Sequence, residues 1–417
     1  YVLWYGKSPR GEKMIKFNNL FEKRELESAI DDFDQVELKD GRQYPIHSLP
    51  DENGDIRSYR MNPKQIFKDH EGARLFAKNP MTSGGHRKNQ SLPFKHMGKE
   101  FSPGSGNCWK TTVRTDDDST PGMERLARAE RLIPLESTWR YKKYLEDYPY
   151  KAMSNWWDGL GGTADLYVVE TNPEIIQRCM LMTTDPGDLV LDPTCGSGTT
   201  AYVAEKWGRR WITTDTSRVA LSLARQRILT STYDYYKIDD EGNGQNDPGK
   251  GFAYKTAPHI MRSDIANHPA VDQVHEKYQP KLDDKLDALN EALSETVDDD
   301  LREQLAQKLE QKREEHNRYA IVDADERRWD LPAEGEKWEH WEVPFDADED
   351  YPDSLKAALQ DYREVWRAKM SEMDEVITEG SEQEILYDDP EVVKGVTRVS
   401  GPFTVEAVMP PEKSLLD

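Results

Sequence analysis

The chain has 417 residues, 32% of them charged and 36% hydrophobic, with a net charge of −23. That length suits roughly two to four compact units, no apolar run reaches the span of a membrane helix, and the first residues lack signal-peptide architecture. Three cysteines, Cys108, Cys179 and Cys195, with no CxxC pair, argue against a disulfide framework or zinc ribbon and for a reducing, cytoplasmic setting.

The acidity is local. Residues 276–390 hold 36 Asp and Glu against 15 Lys and Arg, whereas residues 58–114 hold 11 basic residues against 3 acidic ones. Global charge therefore does not argue against a nucleic-acid partner.

In chain order, YVLWYGKS reads as a buried strand, which needs neighbours to pair with, and residues 12–35 as a charged helix. Residues 40–120 are rich in Gly, Pro, Ser and Asn and predict an irregular, loop-rich module. Residues 121–150 read as mostly helical, and 174–184 as an amphipathic helix leading into the turn and strand of PGDLVLDP. TTAYVAEKWG predicts a helix stopping at Gly208, RRWITTD a second strand, and SRVALSLARQRILTST a second helix. This is the repeating unit of doubly wound sheets.

Residues 251–264 predict a return to strand. Leucines at 282, 286, 289 and 293, then 301, 305 and 309, predict two helices folded back on each other and packing within their own domain. A polar, acidic stretch runs to about 390, and RVSGPFTVEAV predicts a closing strand.

GSGTTA at 196–201 fits G-x-G-x-x-A, with Asp215 19 residues after Gly196. By spacing alone this suits a dinucleotide. Asp192, however, ends the strand at the mouth of the turn, where a diphosphate would meet a carboxylate. Such a carboxylate favours a ligand carrying an ammonium or sulfonium group, and S-adenosylmethionine carries both. Gly196 and Gly198 would allow close approach of the backbone, and Asp215 would accept hydrogen bonds from ribose hydroxyls. No lysine follows the glycines, which disfavours a phosphate loop. A nicotinamide-dependent oxidoreductase and a turn with no ligand stay open as alternatives.

DLVLDPTCGSGTTAYVAEKWGRRWITTDTS resembles the DPFxGSGTT region of circularly permuted, amino-methylating DNA methyltransferases, especially the modification subunits of type III restriction systems. YVVETNPEIIQRCM is similar to that family's YPTxKP segment, with Glu170, Thr171, Asn172 and Pro173 in its place and Asn172 where lysine is usual. RGEKMIKFNNLF, GNCWKT, GMERLARAERL, RYKKYLEDYP, NWWDGL, GFAYKTAPHIMRSDIAN and RVSGPFTVEAV extend the resemblance over most of the chain. It implies transfer of a methyl group from S-adenosylmethionine to an exocyclic amine, N6 of adenine before N4 of cytosine, of a flipped base in double-stranded DNA. The cofactor-binding residues it implies, together with the loop chemistry above, are Thr171, Asn172, Asp192, Pro193, Thr194, Gly196, Ser197, Gly198, Thr199, Thr200 and Asp215.

The family's catalytic [DNS]PP[YFW] does not occur in this sequence. DYPY at 147–150 is a near miss read as a helix-terminating turn, and Pro410-Pro411 is followed by Glu412, which cannot stack on a base. The expectation is a fragment of a longer methyltransferase, starting at the last strand of its catalytic sheet. A non-catalytic DNA-binding or specificity subunit is the alternative.

Between the two motif regions, the basic segment interleaves cations with aromatics and small polar groups. Arg87, Lys88, Asn89, Lys95 and Lys99 are the expected DNA-facing residues. His70, His86 and His96 lack metal-ligand spacing. The acidic region reads as a solvated face or a surface for a restriction or other defence-system subunit, with Trp329, Trp338 and Trp341 as interface candidates.

The expected fold is α/β, a Rossmann-like methyltransferase sheet, incomplete in this chain, with a loop-rich recognition module and an acidic helical extension. Its segments are 1–35 (last strand and helix of the sheet), 36–150 (target recognition), 151–275 (cofactor-binding half), 276–390 (acidic helices) and 391–417 (terminal strand).

Overall fold

A computed structural model describes residues 2–6, 16–51, 55–117, 119–161, 170–239, 251–315 and 322–408. The fold is mixed α/β and divides into two compact units, one of Tyr1–Glu22, Lys151–Thr256 and Ile385–Asp417, the other of Lys23–Tyr150 and Ala257–Glu384.

The first unit holds the glycine loop. Helix Pro173–Thr183 starts at Asn172, whose side chain caps it, and strand Leu189–Asp192 follows. Helix Thr199–Lys206 ends where Gly208 takes φ +69°, and strand Arg210–Thr213 pairs parallel with Leu189–Asp192. Helix Arg218–Thr230 completes the expected series. Met180, Leu181, Val203, Ala204, Trp207, Tyr236 and Phe252 form one core beneath it. Among the described residues the parallel sheet has two strands, and Leu189, Leu191 and Ile212 are exposed.

The second unit is built on an antiparallel sheet. Hairpin Leu132–Leu135 and Thr138–Tyr144 pairs with Arg74–Pro80, which pairs with Gln35–Glu37 and then Gln43–Pro45. Helix Gly122–Arg128 shares a core with Trp109, Trp139, Ile265, Val271, Met373 and Ile377, so residues from 36–150 and from the acidic stretch fold around the same apolar cluster. Helices Pro269–Thr296 and Asp353–Glu379 lie antiparallel, tied by Lys277 to Glu372 and by Lys285 to Asp361.

Several expectations are corrected. Residues 2–6 form no strand, and Leu3 and Tyr5 are exposed: an apolar run becomes a strand only when another backbone accepts its hydrogen bonds. Within 12–35, Phe21–Lys23 is strand and Leu26–Ala29 is the helix, while 7–15 lie outside the described residues.

Residues 132–144 form a hairpin whose second strand, TWRYKKY, buries Trp139 and Tyr141 on one face and Lys142 and Tyr144 on the other. The DYPY turn therefore ends a strand, not a helix. The leucine helices do not close on each other alone. Leu282, Leu289, Leu293 and Leu305 join one cluster whose other wall is Leu355, Leu359 and Tyr362 of helix Asp353–Glu379.

The last strand is Val392–Val399, stopped before Gly401-Pro402, because proline lacks the N–H that a ladder needs. Of the three tryptophans, Trp338 is not available as an interface residue. Trp338 is buried and its backbone exchanges hydrogen bonds with the Asn290 side chain, and Trp329 donates to Asp348 Oδ2 at 2.6 Å. Trp341 is half-buried beside Gly98.

Candidate functional site

The loop 192–200 leaves the end of one parallel strand and enters a helix, which puts its backbone amides and both strand ends on one edge. Asp192 Oδ1 accepts from the Thr194 amide at 2.9 Å and from its hydroxyl at 3.3 Å. The Thr214 hydroxyl donates to the Pro193 carbonyl at 3.0 Å.

Asp215, just beyond the second strand, accepts the Gly196 amide on Oδ2 and the Ser217 amide on Oδ1, each at 2.8 Å. Those two amides, Ser217 first, hold its carboxyl below the usual carboxylate range. A carboxylate oxygen has two lone pairs, so each still has capacity to accept from a ligand hydroxyl.

The two glycines differ in role. A side chain on Gly196, at φ +51°, would meet nothing nearer than the Thr194 carbonyl at 3.9 Å, so this face of the loop is open. A Cβ on Gly198, at φ +78°, would lie 2.7 Å from Ala224 Cβ. Gly198 therefore lets the loop pack on helix Arg218–Thr230.

Ser197 and Thr199 also turn inward. Both are buried, with Glu170, in a network centred on Arg227. Arg227 Nη1 donates to Glu170 Oε1 at 2.7 Å, to Thr199 Oγ1 at 3.1 Å and to Ser197 Oγ at 3.3 Å. Sequence reading missed Arg227 because its partner lies 57 positions upstream. Cys195 is buried too, and burial pushes its thiol up. Thr171 is exposed, Thr200 half-buried, and Asn172 Oδ1 is occupied by the Glu174 amide at 2.9 Å.

The expected DNA-facing residues divide. Arg87 and Lys88 are exposed, with Lys88 3.6 Å from Asp116. Asn89 accepts the Val113 amide on its carbonyl at 2.8 Å, and its side chain reaches Asp116 at 3.2 Å. Lys95 and Lys99 sit on the Phe94–His96 and Lys99–Phe101 hairpin, where Lys95 pairs with Glu100 and Lys99 with His96. Paired residues share a face and successive ones alternate, so the two lysines point to opposite sides. Among the described residues no group of three His, Cys, Asp or Glu could hold a metal ion, and no helix is long and apolar enough to cross a membrane.

Residues 57–226 match the family model for N6/N4 DNA methylases. The chain is 44% identical over 54 residues to the type II methyltransferase M2.DpnII of Streptococcus pneumoniae, a match covering 13% of this chain and 20% of that protein. It is 49% identical over 43 residues to M.BamHI of Bacillus amyloliquefaciens, 10% of each. These matches span a fifth of the relatives' length or less.

A protein described as a putative DNA modification methylase from Thermus thermophilus, solved in complex with S-adenosyl-L-methionine, aligns with 36% of this chain and 53% of its own. It is 22% identical with a TM-score of 0.16, too remote to carry weight. The matched segment is thus similar to the N6/N4 DNA methylase family, with partial similarity to type II DNA methyltransferases.

Proposed function

We propose that this chain supplies the S-adenosylmethionine-binding and DNA-recognition parts of a site-specific DNA methyltransferase acting on N6 of adenine, within a restriction-modification or related defence system. The observation that carries the reading is the clamped Asp215 carboxylate facing the open side of the loop at Gly196.

The residues present fit this cofactor. Asp192 supplies negative charge for the methionine end, Asp215 accepts from the ribose hydroxyls, and the backbone of 193–196 lines the space between. When bound, the cofactor supplies a sulfonium-activated methyl group. The protein's work is to hold that ligand, keep Asp215 ionised and oriented through two amides, and position an extruded base.

The buried Glu170–Arg227 pair acts underneath, fixing Ser197 and Thr199 so that the loop keeps one shape. Amine acceptors and an aromatic stacking face, which the reaction needs, are not spelled as [DNS]PP[YFW] in these residues. The reading therefore assigns no methyl transfer to this polypeptide alone. The free thiols of Cys108, Cys179 and Cys195 agree with a cytoplasmic setting.

Calorimetry with S-adenosylmethionine and with NAD tests the cofactor. Binding of the first and not the second is expected, weak because among the described residues the parallel sheet has two strands. Asp215→Ala is expected to weaken it about ten- to a hundredfold, the worth of a pair of charge-assisted hydrogen bonds. Selective NAD binding would overturn the methyltransferase reading, and unchanged affinity in Asp215→Ala would overturn the ribose assignment.

A further inference from the structure

We propose that Lys110, Arg140 and Arg262 form a phosphate-binding site in the unit of Lys23–Tyr150 and Ala257–Glu384, and that its ligand is a backbone phosphate of duplex DNA. The inference rests on the DNA reading above, but uses none of the residues assigned to DNA from the sequence.

Three separate segments bring the cations together. Arg140 sits opposite Pro80 in the antiparallel sheet. The next carbonyl, that of Met81, accepts the Lys110 amide at 2.7 Å. Arg262, at the start of the Arg262–Ala266 turn of helix, donates from Nη2 to the Lys110 carbonyl at 3.3 Å. All three residues are half-buried.

The cluster lacks counter-charge. Several other arginines of this unit face a carboxylate: Arg125 and Arg128 pair with Asp272, buried Arg131 with Asp147, and Arg74 with Asp374, while Arg24 and buried Arg363 are met by backbone carbonyls. Lys110, Arg140 and Arg262 make no ion pair among the described residues. Arg140 Nε and Arg262 Nε are buried without a hydrogen-bond partner, and so is the hydroxyl of Tyr141, which faces Arg262.

The carboxylate of Asp264 is engaged by the Met261 amide at 2.9 Å and the Ser263 hydroxyl at 3.3 Å. Burial, then Arg262 and Arg140, push the Lys110 ammonium below its ordinary value, and burial does the same to Arg262. Like charges held together at partial burial raise the free energy of the empty protein, and an anion reverses the sign of that contribution. Two guanidiniums and an ammonium suit the oxygens of a phosphate. The surrounding 58–114 segment, with its basic surplus, favours a polyanion as its source.

The test is fluorescence anisotropy of the full chain with labelled duplexes of unrelated sequence over a range of salt. R140Q/R262Q is expected to weaken binding about fivefold near physiological salt, equally for all sequences, and to reduce the slope of log K against log salt by about one. R140K/R262K, which keeps the charge, is expected to recover most of the affinity. In phosphate-free buffer R140Q/R262Q is expected to melt no lower than the parent, since it relieves repulsion; a lower Tm would mark the arginines as structural and overturn the site.

Unchanged affinity and slope in R140Q/R262Q, with R87Q/K88Q weakening binding, would remove this site and leave the DNA reading standing. Absence of duplex binding by the parent chain would remove both. A phosphorus NMR titration that places inorganic phosphate on these residues, with duplex affinity unaffected by their loss, would make this a site for free anion and overturn the DNA assignment.

Discussion

The two units treat the same sequence signal in opposite ways. In the larger unit, strand Thr138–Tyr144 alternates and both of its faces are satisfied: Trp139 and Tyr141 enter the apolar core, while Lys142 is buried against Glu37 at 2.7 Å. In the smaller unit, Leu189–Asp192 and Arg210–Thr213 carry an equally apolar pattern, yet Leu191 remains 65% exposed and Leu189 54%. Pattern alone states that a residue suits burial. Whether it is buried depends on a partner strand or helix, and for Leu189, Leu191 and Ile212 none covers them among the described residues.

The largest expected effect breaks the satisfied side of this comparison. Asp147 is 1% exposed and accepts two hydrogen bonds from Arg131, at 2.6 and 3.3 Å, and one from the Tyr144 amide at 3.1 Å. Asp147→Ala leaves Arg131 buried with Asp374, at 3.4 Å, as its one carboxylate partner among the described residues. A loss of about 3–5 kcal/mol is expected in urea unfolding of the larger unit. A loss within about 0.5 kcal/mol would show that this sheet is not organised by its buried ion pair. The expected loss would also settle the DYPY sequence as architecture, since its aspartate is spent on Arg131.

A smaller effect follows from His275. Burial first, then Lys369 and Arg128, depress its pKa to about 4, against the weaker opposing pull of Asp272 and Asp283. Its Nδ1 is buried without a partner. The folded state keeps the ring neutral, while the unfolded chain takes up a proton as pH falls below about 6.5. The unfolded state therefore binds more protons between about 4 and 6.5, and stability falls as pH falls through that window, by at most about 1.4 kcal/mol per pH unit. Melting curves from pH 7 to 5 should show a drop that His275→Gln reduces. An unchanged pH slope in the variant would place the acid sensitivity on other groups.

These features mark what a sequence can and cannot reveal. The strand, glycine loop, second strand and second helix from 189 to 230 were legible because each is fixed by local signals: an Asp-Pro stop, two glycines, a helix ended by Gly208 and a Ser217 cap. The 132–144 hairpin was not, because its lysines read as solvated until Glu37, 105 positions away, is placed against Lys142. The same holds in the site, where Asp192 and Asp215 are visible as strand ends but Arg227 acquires meaning only opposite Glu170. Gly196 and Gly198 look equivalent in the sequence, and only Ala224 separates open space from close packing.

The smallest expected effect sharpens the unsatisfied side. A buried leucine contributes about 1.5–3 kcal/mol through burial, whereas an exposed one contributes little. Leu191→Ser should therefore change the unfolding free energy of this polypeptide by no more than about 0.5 kcal/mol, although it sits in the strand that leads into the cofactor loop. Serine is a poorer strand former, so any small loss reflects backbone preference and should be matched by Leu191→Thr only in part. A loss of about 2 kcal/mol or more would mean that this face is covered in solution, by a second copy or another part of the sequence. Concentration dependence of the melting temperature then separates the two, because a second copy shifts it by mass action and a covering segment of the same chain does not.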